Sequence, residues 1–378
     1  MQVLYDHQAF AFQKYGGISR YHAKIIQELR QKGMAAHLPE DMYHANVYLD
    51  QYLDKNPNPI FGIQGDFKGK KLLQFVLGRK FSMRSIDKLN GSAVFHPTYY
   101  DPYFLTKLEK RKLPFVITVH DLTHEKFGLR TPMLSIDYYV RKGQRLLCER
   151  ADAIVCVSQN TKNDLISLYP ELASKRIEVI YHGNTLQLPQ LTDNPSSIFT
   201  GDYILYLGSR SGYKNFRSII PAMGRLLREN RDLHLLCSGG PEFTEEEMAL
   251  FEKENIQHQV KRQLFKNDHE LALLYNQALF FIFPSAYEGF GIPILEAFAC
   301  ECPVLLSNSS CFPEIAQGAA IFFEENDSDS CYEQAKLLLH NNGLRAEMKA
   351  KGKERLQDFS WEKSASEHWA LYDSLNIG

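Results

Sequence analysis

The chain has 378 residues, with 43 Lys and Arg against 45 Asp and Glu, a formal charge of -2 and 44% hydrophobic residues. That length exceeds what one ordinary core holds together and implies two or three domains, while the composition excludes disordered, collagen-like and disulfide-scaffold chains. So balanced a charge also excludes nucleic-acid binding by general phosphate neutralisation, and any anionic ligand must be met locally.

The first residues run straight into an apparent strand, QVLY (2–5), with no basic n-region or long apolar h-region. No stretch approaches the ~20 apolar residues of a membrane span, so the expected location is cytoplasmic, peripheral to a membrane at most. A helical pattern over 18–31 follows, then strands AVFH (93–96), FVITV (115–119), AIVCVS (153–158) and IEVIY (177–181), with helices over 133–150 and 161–168. A Pro/Asn/Ser/Thr-rich passage, 188–202, breaks the alternation and is the best linker. It restarts with YILYLG (203–208), LHLLCSG (233–239), FFIFPS (280–285), PVLLSN (303–308) and AIFF (320–323).

Strand and helix alternating from end to end predict α/β architecture, two doubly wound Rossmann-like domains with parallel sheets and a boundary near residue 190. The expected division is 1–190, 191–358 and a terminal segment, 359–378, packing back toward the N-terminal domain. Within that segment apolar residues at 361, 365, 369 and 372 give the spacing of one buried helix face, a docking helix with no site of its own. Two such sheets would place the carboxyl ends of their strands around one central cleft, so chemistry is sought in the loops after strands.

The seven cysteines are odd in number and lie mostly in apolar runs, which reads as buried thiols in a reducing compartment. Cys300 and Cys302 lack a second Cys/His pair at zinc spacing, and no metal is assigned to them. Asp327-Ser328-Asp329 precedes a helix, where Ser330 and Glu333 form a capping-box pattern, so this pair too is read as capping and no essential metal is expected.

The most informative stretch is FPSAYEGFGIPILEAFACECPVLLSN (283–308). A strand ends, the chain turns through Gly289, Phe290 and Gly291, and a helix starts near Ile292 and Pro293, where a proline's missing N–H would be unpaired in any case. Glycine-lined backbone and a helix start suit a phosphate or a polar sugar group. Glu288 in the turn and Glu296 on the helix offer two acceptors for hydroxyl donors, or else favour the helix start through its dipole and remain solvated. Gly16 and Gly17 stand before a helix, either to let backbone N–H groups face a diphosphate or as a loop pair needing φ > 0. Arg210 and Lys214 follow the first strand of the second domain, where two cations could meet a leaving diphosphate. His120 ends the run FVITV, where it either faces the cleft or fixes the following loop. Residues 61–115 hold eleven Lys/Arg against four Asp/Glu, interleaved with Leu72, Leu73, Phe75, Val76, Leu77 and Phe81, a basic amphipathic surface suited to anionic lipid.

The frame PS…EGFG…P…EA…PV, with seven residues between Glu288 and Glu296, resembles the E-x7-E motif of retaining GT-B glycosyltransferases of family four, also called group one. YGGISRY (15–21), FHPTYYDP (95–102), VITVHDL (116–122), VSQNTKNDL (157–165), YLGSRSGYKN (206–215) and FSWEK (359–363) resemble its other segments in the same order. The resemblance implies a metal-independent hexosyltransferase with no cofactor, which moves a sugar from a nucleotide diphosphate sugar to a saccharide or lipid-linked saccharide acceptor in surface polysaccharide or glycolipid synthesis. It implies that Glu288 holds the donor sugar hydroxyls, Glu296 the ribose hydroxyls and His120 the transferred sugar. Lys214, Arg210, the Gly16 and Gly17 amides and the segment Gly289, Phe290, Gly291, Ile292 would grip the diphosphate and its neighbours. In the family the arginine often follows the glycine directly, whereas here Ser209 takes that place. Peripheral membrane contact is expected through 67–112. An epimerase or phosphorylase on the same architecture, or a non-catalytic binder, are the alternatives.

Overall fold

A computed structural model of the protein describes residues 1–55, 69–128, 136–188 and 198–375. It divides into two compact units: Met1–Gly183 with Ser360–Gly378, and Asn184–Phe359. The expected boundary at 190/191 lies outside the described residues.

In the first unit, β1 (Gln2–Tyr5) pairs in parallel with β2 (Ala35–His37) and β3 (Ala93–His96), and β4 (Val116–Val119), β5 (Ala153–Cys156) and β6 (Ile177–Val179) form a second parallel set. A bridge between Phe95 and Phe115 joins the sets. β3, β4 and β5 are buried at every residue, as parallel strands covered on both faces must be. β2 is missing from the sequence reading because AAH contains no β-branched residue and only three positions.

The helix Gly17–Gln31 buries Tyr21, Ile25 and Leu29, one residue per turn, together with His22 and Ile26. Against it packs the C-terminal helix Trp361–Ser374, whose Trp361, Ala365 and Tyr372 share one core with Val3, Tyr5 and Tyr21. The last helix therefore completes the first unit, joining it after the chain has traversed the second.

In the second unit six parallel strands lie in the order β12-β11-β10-β7-β8-β9: β7 (Tyr203–Leu207), β8 (His234–Ser238), β9 (Val260–Gln263), β10 (Phe280–Phe283), β11 (Val304–Ser307) and β12 (Ile321–Phe323). β9 is VKRQ, an edge strand with one buried residue, which explains why no apolar run announced it. The strand order reverses between β7 and β10, and such a switch point leaves a crevice at the carboxyl ends of the two strands.

Candidate active site

Both loops at that switch point carry residues the sequence singled out. After β7 the chain runs from Gly208 to Asn215 before the helix Phe216–Glu229, and after β10 it turns through 284–291 into the helix Ile292–Ala299. Lys214 Nζ lies 2.6 Å from Glu288 Oε1, with 24% of the lysine side chain and 15% of the carboxylate side chain exposed. The two loops are also tied by the Ala286 N–H, which donates to the Tyr213 carbonyl at 2.8 Å. Ser310, which sequence reasoning missed, braces the turn: its Oγ donates to the Glu288 carbonyl at 2.7 Å and accepts from the Glu288 N–H at 3.2 Å.

Gly291 precedes the helix at φ +89, and a Cβ there would stand 3.0 Å from Ile294 Cδ1 and 3.2 Å from Phe312 Cε1. Only glycine fits both the backbone and the space. Phe290 is buried, its ring 5.9 Å from that of Phe359, so what this residue can offer a ligand is main chain. Glu296 lies one turn into the helix, buried, and accepts from Tyr275 OH at 3.2 Å. The arrangement offers an anion a helix start and a lysine, and offers hydroxyl donors one carboxylate in the turn and one on the helix that follows it.

Arg210 was expected to swing toward a diphosphate, and it lies buried instead. Its Nε donates to Glu247 Oε1 at 2.9 Å and its Nη2 to Glu247 Oε2 at 3.2 Å, Pro241 O at 2.8 Å and Glu242 O at 3.0 Å. Glu247 closes a capping box with Thr244 on the helix Glu245–Lys253. Swinging Arg210 out would leave Glu247 buried without its cation, so the guanidinium holds the 239–244 loop, with only the buried Nη1 lacking a protein partner among the described residues.

In the first unit Gly16 precedes the helix Gly17–Gln31 with extended backbone, φ 169, so the pair does not serve positive φ. The reason for Gly16 is steric: a Cβ there would meet Gln13 Oε1 at 2.3 Å, the same oxygen that accepts from the Ser19 N–H at 3.0 Å. A Cβ on Gly17 meets nothing within 4 Å. His120 follows β4, its N–H donating to Tyr100 OH at 3.2 Å and its ring perpendicular to Tyr21 at 4.9 Å. Burial, with the charge of His368 second, pulls its pKa down to about 3. The imidazole is therefore neutral, with Nε2 lacking a protein partner among the described residues.

The helix after β12 starts three residues earlier than the sequence suggests, at Ser328, and its cap is Asp327 rather than Ser330, its Oδ1 accepting from Asp329 N at 3.0 Å and Ser330 N at 2.9 Å. Ser330 sits inside the helix and accepts from the Glu324 N–H. All seven cysteines are buried free thiols, and no metal-holding group of His, Cys, Asp and Glu occurs among the described residues. In the helix Thr123–Phe127, burial pushes the Glu125 carboxyl up to about 7.

Two family descriptions match the chain, Glycosyltransferase Family 4 over residues 15–187 and Glycosyl transferases group 1 over residues 194–355. O-antigen chain mannosyltransferase B of Escherichia coli is 24% identical over 95% of this chain and 96% of its own. Among solved structures, sucrose-phosphate synthase from Thermosynechococcus elongatus superposes with a TM-score of 0.71 at 19% identity, over 99% of both chains. Anabaena HepE in complex with UDP and glucose gives 0.71 at 15% identity, over 99% of this chain and 100% of its own. With two Rossmann-like units, a switch-point site and both halves matched, the chain belongs to the group 1, family 4 glycosyltransferases of the GT-B fold.

Proposed function

We propose that the protein is a retaining, metal-independent hexosyltransferase that moves a sugar, mannose being suggested by the relatives, from a nucleotide diphosphate sugar to a saccharide or lipid-linked acceptor in surface polysaccharide synthesis. The observation that carries the reading is the Lys214–Glu288 pair at the β7/β10 switch point beside the glycine-capped helix start. Cleaving the glycosyl–phosphate bond puts negative charge on the leaving diphosphate and positive charge on the anomeric carbon. Lys214, the helix start at Ile292 and the main chain around Gly16 and Gly17 are fixed donors for the first, a type of contribution worth several kcal/mol. Glu288 accepts from the donor sugar hydroxyls, Glu296 from the ribose, and the neutral His120 hydrogen-bonds the sugar. Attack is front-side, with the leaving phosphate taking the acceptor proton.

The helix Lys70–Lys88 exposes Leu72 and Val76 and, one and two turns on, Lys80 and Arg84, which supports peripheral contact with an anionic cytoplasmic membrane face. Among the described residues no helix is long and apolar enough to cross a membrane.

A panel of UDP-, GDP- and ADP-sugars tested for melting-temperature shifts, followed by NMR of the product's anomeric configuration with the best donor, tests the reading. One donor should stabilise the fold and yield a product of retained configuration without added metal. An inverted anomer, or nucleotide release that is independent of any acceptor panel, overturns it.

A further inference from the structure

The C-terminal helix Trp361–Ser374 buries Tyr372, as the spacing of its apolar face predicts, and also His368, which that spacing gave no reason to bury. His368 Nδ1 stands 2.7 Å from the Ser364 carbonyl oxygen, which can only accept, so Nδ1 carries the proton. Burial pulls this ring down to about 4, leaving it neutral with a bare Nε2. That nitrogen is 2.7 Å from Tyr21 OH, and Tyr21 must donate to it.

With its proton committed, the Tyr21 oxygen accepts from Thr118 Oγ1 across a long 3.5 Å. Thr118 then accepts from His96 Nε2 at 2.9 Å, His96 Nδ1 accepts from Tyr372 OH at 2.7 Å, and Tyr372 accepts from Tyr5 OH at 2.8 Å. One carbonyl thus sets the direction of a buried chain that the last helix enters twice.

The Tyr21 ring stands at 90° to His120, 4.9 Å between centroids, and 4.8 Å from His182. His22 at 5.5 Å and His182 at 6.3 Å complete the wall, with His96, His368 and Asp121 the remaining titratable neighbours. Among the described residues the His120 side chain is held by ring packing, in which Tyr21 is the nearest ring and has its hydroxyl tied to His368. We infer that Tyr21 is a positioning residue for His120 and that His368 of the C-terminal helix is the group that fixes Tyr21. The inference rests on His120 contacting the transferred sugar.

The test is the imidazole 15N spectrum of histidine-labelled protein, with His120 assigned by His120→Gln, in Tyr21→Phe, His368→Leu and His368→Gln. Tyr21→Phe keeps the ring and removes the O–H, while His368→Gln restores an acceptor near the lost Nε2. One sharp set of His120 ring signals is expected in the wild type and in His368→Gln, and averaged or broadened ring signals in the other two. With the donor found by the sugar-nucleotide panel, kcat should fall about tenfold in Tyr21→Phe while KM stays within about twofold. Unchanged His120 signals in Tyr21→Phe and His368→Leu overturn the inference, even if both melt lower. Should His368→Leu not fold, Tyr21→Phe decides alone. If His120→Ala retains full turnover while Tyr21→Phe still releases the ring, the sugar contact is wrong and the positioning stands.

Discussion

Lys214 and Glu288 stand 74 residues apart in sequence and 2.6 Å apart in space, joining the loops after β7 and β10. The ion pair holds each group in place, and the nucleotide diphosphate sugar of the proposed function would offer both a replacement partner: phosphate oxygens for the ammonium, hydroxyls for the carboxylate. Exchange of partners spares either group an uncompensated desolvated state.

Lys214→Ala is expected to lower turnover by about 10²–10³, the scale of one lost fixed donor at developing charge. It should weaken nucleoside diphosphate binding by calorimetry and cost only about 1–2 kcal/mol in urea unfolding, because the pair is partly exposed. Glu288→Gln in the same background should add less than its single effect, as coupled residues do. Additive losses, or wild-type turnover in Lys214→Ala, would take the lysine out of the clamp.

Arg210 and Glu247 are 3% and 7% exposed, a fully internal pair. Removing one partner strands the other, so Arg210→Ala should destabilise the second unit by about 3–5 kcal/mol. Arg210→Lys should recover little, since one ammonium cannot reach both carboxylate oxygens and the carbonyls of Pro241 and Glu242 together. Denaturant unfolding at neutral pH reads both. A stable Arg210→Ala protein with weakened diphosphate affinity would instead return the arginine to direct ligand contact.

The contrast between these two cations shows where the sequence was legible. Position after β7 marked both as residues of a strand-end loop, and apolar runs such as FFIF and VITV located their strands because parallel strands are buried on both faces. What position could not reveal was the partner: Glu247 is 37 residues away, in a helix whose acidic first turn reads as ordinary capping. The buried polar chain of Tyr21, His96, Thr118, His368 and Tyr372 was illegible for the same reason: its members come from four separate elements, and although spacing marked Tyr372 as buried, nothing in it pairs Tyr372 with His96 or His368 with Tyr21. β2 and β9 escaped notice because one is too short and the other too polar to leave a periodic signal.

Gly291→Ala should separate backbone shape from side-chain chemistry in the loop before the second carboxylate. At φ +89 an L-residue is strained by about 1–2 kcal/mol, and the new methyl would press on Ile294 and Phe312. Loss of stability on that scale, with weaker diphosphate binding, is expected by thermal unfolding and calorimetry. Gly318→Ala is the control, because its added carbon meets nothing within 4 Å and its φ is not positive. That variant should lie within about 1 kcal/mol of the wild type. Equal effects from the two substitutions would show that the turn at 291 has no special requirement.

The first unit should be acid-labile through its buried histidines. An unfolded histidine protonates near its ordinary value of 6.5, whereas burial holds His120 at about 3 and His368 at about 4 and lowers His22, His96 and His182 as well. Between those values the unfolded chain binds more protons than the folded one, so stability is at its full value above about pH 6.5 and is lost as pH falls toward 4. Each histidine kept neutral contributes a loss of about 1.4 kcal/mol per pH unit in that window. Both tryptophans of the chain, Trp361 and Trp369, lie in the C-terminal helix, so tryptophan fluorescence in urea reports this unit selectively. The midpoint should be flat from pH 8 to 7 and drop steeply from 6.5 to 5, less so in His368→Gln, which removes one of the titrating rings. A midpoint unchanged across that range would mean that the rings are already charged, or solvated, in the folded protein.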